Sequence, residues 1–199
     1  MIVLPSHHLD HHTEAAATAI VELIPPQSSK LSRLTSLVYT AGATVHDLVL
    51  MRAVNQVITT AAAAASATTI VLSSASFGGD TIASGDYLVV EHADGTHGIH
   101  LASALSVLTV TINALAKAVN AGAKVWIMGA PGDTNYHQTL KSIASTRIEF
   151  KDDTSGLITS GYDIGTYNRD GLNDPLLIYS ANGTNAGVFN WGSATYIRR

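Results

Sequence analysis

"YLVVEHADGTHGIHLA", residues 87–102, decides the fold class. Two strand-like runs, 87–93 and 96–102, flank Asp94-Gly95, the dipeptide that most strongly signals a short β-hairpin. The same texture continues on both sides. Upstream, TTIVLSSA (68–75) is apolar and β-branched, and FGGDTIASGD (77–86) is turn chemistry. There Gly78, Gly79 and Gly85 are free to take positive φ, and Asp80 and Asp86 suit Asx turns. Downstream, VLTVTIN (107–113) and AKVWIMG (123–129) read as strands, with ALAKAVNAG (114–122) between them as a helical turn or an irregular return.

Further out, RLTSLVYT (33–40) and VHDLVLMRAV (45–54) read as a hairpin turning at Ala41-Gly42-Ala43. TTAAAAASA (59–67) is rich in the best helix former, but it is short and flanked by threonine, so we expect a linker or strand edge. Beyond Ala130-Pro131-Gly132-Asp133, RIEF (147–150) is a strand. DPLLIYSANGTNAGVFNW (174–191) reads as a hairpin turning at Asn182-Gly183, with Tyr179, Phe189 and Trp191 as cross-strand aromatics. Short strands with turn signals between them predict an all-β chain built of small antiparallel barrel or sandwich modules. The expected organisation is an extended N-terminal arm and first strand over 1–32, a central β module over 33–129 and a C-terminal β region over 130–199.

Composition narrows the function classes. Of the 199 residues only 13% are charged, against about 25% in ordinary soluble domains. Neutral, small-residue faces of this kind suit burial against neighbouring chains. The net charge is −4, and no cationic run precedes the terminal Arg198-Arg199. Nucleic-acid binding needs clustered cations, so it is not expected. No apolar stretch reaches the about 20 residues of a membrane-spanning helix. The opening MIVLP lacks the basic and apolar regions of a secretory signal. There are no cysteines, hence neither disulfides nor thiolate metal sites.

The densest candidate chemistry is SHHLDHHTE (6–14). On a helix, His7/His11 and His8/His12 would each stand at i, i+4, the spacing that lets two imidazoles share a metal, with Asp10 and Glu14 as oxygen ligands. Metal sites need rigid support, and this segment reads as an arm, so we take His7, His8, Asp10, His11, His12 and Glu14 as contact residues of a docking arm. Protonation of its four histidines near pH 6 would change its charge by up to ~4. Around the central hairpin, His92, His97 and His100 stand near Glu91 and Asp94. Hairpin residues of like parity share a face, so some of these could converge, although polar hairpin tips are ordinary. NRDGLND (168–174) lacks the register of a calcium loop, and Asn182-Gly183-Thr184 is read as a turn. No nucleophile elbow, phosphate loop or dinucleotide fingerprint is present, so we expect no enzyme activity and no cofactor.

The run from TTIVLSSASFGGDTIASGDYLVVEHADGTHGIHLA to AGAKVWIMG resembles β modules of tailed-bacteriophage virion proteins. The shared pattern is a β-branched strand, "I-x-x-G-D", a hydrophobic strand, a "D-G-T" hairpin, a Thr/Val strand and "A-G-A-x-V-W". LTSLVYTAGAT and NDPLLIYSANGTNAGVFNW are similar to the auxiliary head proteins called cement or decoration proteins. The resemblance implies a virion protein that binds the major capsid protein on the outer capsid surface, as a dimer or trimer, assembled in the host cytoplasm. A tail or neck component (tube, adaptor or fibre attachment) is the alternative within that setting. A carbohydrate-binding β domain, with Trp126 and Trp191 stacking on sugars, is the alternative outside it.

Overall fold

The computed structural model describes residues 2–3, 7–9, 12–13, 20–24, 30–40, 46–130, 133, 137–143, 147–151, 176–181 and 188–198, with side chains at 51, 53–130 and 133. These residues are all-β, as the alternation and turn chemistry predict, and no helix occurs among them. In chain order the strands are β1 (Ile2–Val3), β2 (His7–Leu9), β3 (His12–Thr13), β4 (Ile20–Ile24), β5 (Lys30–Thr40) and β6 (His46–Arg52). Then come β7 (Asn55–Ile58), β8 (Thr69–Val71), β9 (Ser76–Phe77), β10 (Asp80–Thr81), β11 (Tyr87–Glu91) and β12 (His97–Ser106). The last six are β13 (Thr109–Ile112), β14 (Lys124–Gly129), β15 (His137–Ile143), β16 (Arg147–Lys151), β17 (Leu176–Ala181) and β18 (Val188–Arg198).

The chain forms two compact units, residues 1–51 with 138–199, and residues 52–137. This division differs from the expected boundaries at 32/33 and 129/130, because strand partners in the first unit come from opposite ends of the sequence. One of its sheets runs β1-β18-β5-β16, with β2 and β3 also on β18, and the other runs β15-β6-β17-β4. Both expected outer hairpins are therefore corrected. β5 pairs with β18 and β16 instead of β6, and β17 pairs with β4 and β6 instead of β18. The two 11-residue strands β5 and β18 match along their length, from Val188↔Thr40 to Arg198↔Lys30. That long ladder satisfies more backbone groups than a local hairpin of either partner would. The expected free arm is also corrected: its described pieces pair antiparallel with β18, at Ile2↔Arg198, His8↔Ser193 and His12↔Phe189. They cover an edge of β18 whose N–H and C=O groups would otherwise lack partners.

The second unit is a curled antiparallel sheet, a half-barrel (hereafter the barrel) whose ends meet at one point. Its sheet runs β7-β14-β11-β12-β13-β8. The outermost strands β7 and β8 are then joined by Thr60 N–H to Val71 C=O at 2.8 Å and Ser73 N–H to Ile58 C=O at 2.8 Å, around a Thr59↔Leu72 bridge. This single join draws the two edge strands together at one end. The inner face is filled by a single cluster that includes Val57, Ile70, Leu72, Leu88, Val90, Val110, Ile112, Val125 and Ile127. Period-2 alternation explains the pattern: on β13, Val110 and Ile112 are buried while Thr109 and Thr111 are half-buried. On β11 and β14 the outward residues Val89, Trp126 and Met128 are buried as well. Both faces of these two central strands are therefore covered, which explains their nearly continuous apolar sequence. The alanine run forms no helix; Ala63 bridges Val119, and Thr59 and Ala63 hold the barrel's rim.

Candidate functional site

The Asp94-Gly95 signal makes a turn, though one residue longer than the two-residue form. His92 N–H donates to Thr96 C=O at 2.8 Å, so Ala93, Asp94 and Gly95 make up the loop. Only Gly95 among them takes positive φ, at 79°, as in a three-residue hairpin loop ending in a left-handed residue. The Asp94 carboxylate then organises the tip. Its Oδ1 accepts from Thr96 N–H at 3.1 Å and from the Thr96 hydroxyl at 2.6 Å, and its Oδ2 accepts from Lys117 Nζ at 2.7 Å. The Lys117 ammonium and the two Thr96 donors hold the Asp94 carboxyl far below the usual carboxylate range. Lys117 comes from the segment whose alternative readings were a helical turn or an irregular return; it is irregular, tied down by Ala93 N–H to Ala118 C=O at 2.8 Å.

This network settles the tautomer of His92. The Thr96 hydroxyl spends its one proton on Asp94 and accepts from Lys117 Nζ at 3.1 Å. His92 Nδ1, 3.1 Å from the same oxygen, must therefore be the donor, which leaves Nε2 as a bare lone pair. That lone pair points into the barrel. The parity that puts Leu88 and Val90 on the inner face does the same for His92, Gly98 and His100. His92 is 5% and His100 3% exposed, and their rings stand edge to face, 6.2 Å apart at 83°. His92 Nε2 and both nitrogens of His100 have no hydrogen-bond partner. Burial lowers the pKa of both rings; the Asp94 charge opposes this at His92, and at His100 Asn113, close to the ring but outside hydrogen-bond geometry, opposes it. Gly98 makes room for the pair, since a Cβ there would lie 2.8 Å from His92 Cε1 and Nε2 and 2.9 Å from His100 Nε2.

Of the three hairpin histidines, two therefore converge and the third does not. His97 lies on the outer face, packed on Trp126 with centroids 5.5 Å apart, and burial lowers its pKa too. Glu91 Oε2 accepts from Lys124 N–H at 3.0 Å. A cavity of about 270 Å³ opens beside Glu91, His92, Gly95 and the turn at 120–122. No group of three or more metal-type ligands occurs among the described residues. Trp126, offered for sugar stacking, is 1% exposed and packs in the protein instead. Neither Asp80 nor Asp86 makes the Asx turn expected: Asp86 closes the 83–86 turn from its far end, accepting from Ala83 N–H at 2.7 Å, and Asp80, in β10, accepts from its neighbour Thr81 N–H at 2.8 Å.

For the arm, the backbone is extended at His7, His8 and His12, so helical i, i+4 spacing does not arise there. Asp10, His11 and Glu14 lie outside the described residues, as do the 168–174 loop and the turn at 182–184. The side chain of Trp191 is likewise not among those described.

Sequence reading missed one feature altogether. The β12–β13 hairpin turns at Val107-Leu108, between the paired residues Ser106 and Thr109, with no Gly, Asn, Asp or Pro. Val107 has φ 57° and is 86% exposed. Both properties are wrong for a β-branched apolar residue. No glycine, proline, asparagine or aspartate marks this turn; the flanking Ser106 is the one weak turn former beside it.

No protein-family model matches the chain, and no curated protein matches it. Among solved structures it is similar to VP17, a capsid protein of bacteriophage P23-77, with a TM-score of 0.21 and 10% identity over 100% of both chains. At that score the likeness to a phage capsid protein is weak.

Proposed function

We propose that this chain is a structural virion protein without catalytic activity, a cement or decoration protein on the outer face of a tailed-phage shell. Its partners would be the major capsid protein and further copies of itself, as a dimer or trimer, with no nucleic acid, membrane or cofactor involved. One observation supports the non-catalytic part: the two carboxylates of the hairpin, Asp94 and Glu91, are engaged in holding the barrel's own structure. Asp94 is saturated by Lys117 and Thr96, Glu91 caps the start of β14, and His92 is fixed by Thr96. General acid–base work needs such groups presented to a substrate with a pKa near the working pH. Here Asp94 is driven far from that range.

The low charge of the chain supports attachment through broad neutral contacts. Co-sedimentation of the purified chain with shells lacking it, followed by cryo-imaging of the complex, tests the reading. Regularly placed density on the outer shell is the expected result. Density on the tail or neck, or no binding, overturns the cement assignment.

A further inference from the structure

We propose that His92 and His100 form a two-imidazole site for a single monovalent copper ion, Cu(I), held inside the barrel over Gly98. The site is independent of the virion reading and no reaction is asked of the ion, which acts as an internal strut between the end of β11 and the start of β12. Two observations meet here. The first is an unmet need. His92 is 5% and His100 3% exposed, yet His92 Nε2 and both nitrogens of His100 have no hydrogen-bond partner. Buried polar atoms are normally paired, and three unpaired in one place require a reason. The second is convergence. One point, the position that a Cβ on Gly98 would occupy, lies 2.8 Å from His92 Nε2 and 2.9 Å from His100 Nε2. Glycine keeps that space free in a strand, where a side chain would otherwise pack better. An ion about 2 Å from one nitrogen of each ring, with those nitrogens facing each other across it, would set the ring centroids close to the 6.2 Å observed.

The surroundings already prepare one ligand. A metal-binding imidazole donates its other N–H to a fixed acceptor, which sets both tautomer and ring direction. His92 meets this condition: Nδ1 donates to the Thr96 hydroxyl at 3.1 Å, and that hydroxyl donates in turn to Asp94 at 2.6 Å. The Nε2 lone pair is therefore the one left for an ion. The Asp94 charge favours a cation at His92 more than the Lys117 charge opposes it. A cavity of about 270 Å³ borders Glu91 and His92 and gives an ion a route to this end of the pair.

The donor set selects the ion. Copper suits imidazole nitrogen, and its monovalent closed-shell state accepts two ligands in line. Two neutral rings supply those two ligands, and among the described residues no third metal-type ligand joins them. A single charge is also the least costly to place among the apolar side chains of the barrel. Structural Zn(II) takes four ligands, and calcium and magnesium take oxygen.

The test uses the full chain carrying His7→Asn, His8→Asn, His11→Asn and His12→Asn, so that the N-terminal cluster does not compete, titrated with Cu(I) under anaerobic reducing conditions. Expected are one ion per chain and displaced imidazole nitrogen resonances at both His92 and His100. The thermal midpoint should rise by about 5–10 °C at a free Cu(I) concentration a hundred times the Kd. His100→Leu removes one ligand, and Gly98→Ala keeps both ligands but places a methyl at the point of convergence. Each should weaken binding at least about tenfold, whereas His97→Gln, on the outer face, should leave it unchanged. The resonances are read on the parent chain, so they decide the matter even where a variant fails to fold. Cu(I) that leaves the His92 and His100 resonances in place, or that binds Gly98→Ala as tightly as the parent, would overturn the site. Zn(II) held by the same pair as tightly as Cu(I) would overturn the assignment to a monovalent ion.

Discussion

Gly98 is the position where the packing of the barrel can be tested most directly. It is the second residue of β12, paired with Val90, where glycine costs conformational entropy and adds no packing. Replacing it by alanine should therefore stabilise the protein by about 0.4–1 kcal/mol through the unfolded chain, if the site were open. It is not open. The added methyl would lie 2.8 Å from two atoms of the His92 ring and 2.9 Å from His100 Nε2. Both rings are nearly fully buried, and His92 is tethered through Nδ1 to Thr96, so neither can swing aside cheaply. Overpacking of this kind costs about 1–3 kcal/mol, which outweighs the entropic gain.

Gly98→Ala should therefore destabilise the barrel by a net amount centred on about 1.3 kcal/mol, within about 0–2.6 kcal/mol. Urea unfolding read from Trp126 fluorescence measures it. A Trp191→Phe background leaves Trp126 as the one indole, because the chain has two tryptophans. In a His92→Ala background two of the three close contacts vanish, so the same substitution should cost at least about 1 kcal/mol less, a coupling of the size contacting residues show. A stabilising Gly98→Ala, or a cost unchanged by removing His92, would refute the packing described here.

Two further predictions use the same hairpin. His92 and His100 have lowered pKa values in the fold, so their contribution is fully present above the unfolded value of about 6.5 and is lost as pH falls below it. Each can steepen the loss by at most about 1.4 kcal/mol per pH unit, and a urea midpoint that stays flat from pH 7.5 to 5 would contradict the buried neutral pair. Lys117→Met should let the Asp94 carboxyl rise back towards the ordinary carboxylate range, because the ammonium is the largest cause of its depression. A carbon-detected NMR pH titration of Asp94 reads this, and an unmoved titration would show that Lys117 is not its partner.

Much of the barrel is legible in the sequence because its signals are local. Gly95 is the left-handed residue of its loop, Asp86 closes a turn, and the Val110/Ile112 alternation marks an inner face. Parity even brings His92 and His100 to one side. What parity could not supply is Lys117, 23 residues from Asp94, whose ammonium holds the carboxylate that takes the Thr96 hydroxyl proton.

Local sequence determined that this chain is β and where most of its turns lie, since turn geometry depends on the φ preferences of a few adjacent residues. Tertiary structure alone decided the partners. The β5–β18 ladder joins segments some 150 positions apart in the chain, which no propensity encodes. It also decided the turn at Val107, where burial of Leu105 and Leu108 and pairing to β8 outweigh the conformational preference of valine. A strand's pairing is set by whichever edge satisfies its backbone groups and covers its apolar face, and that edge is chosen by the folded whole.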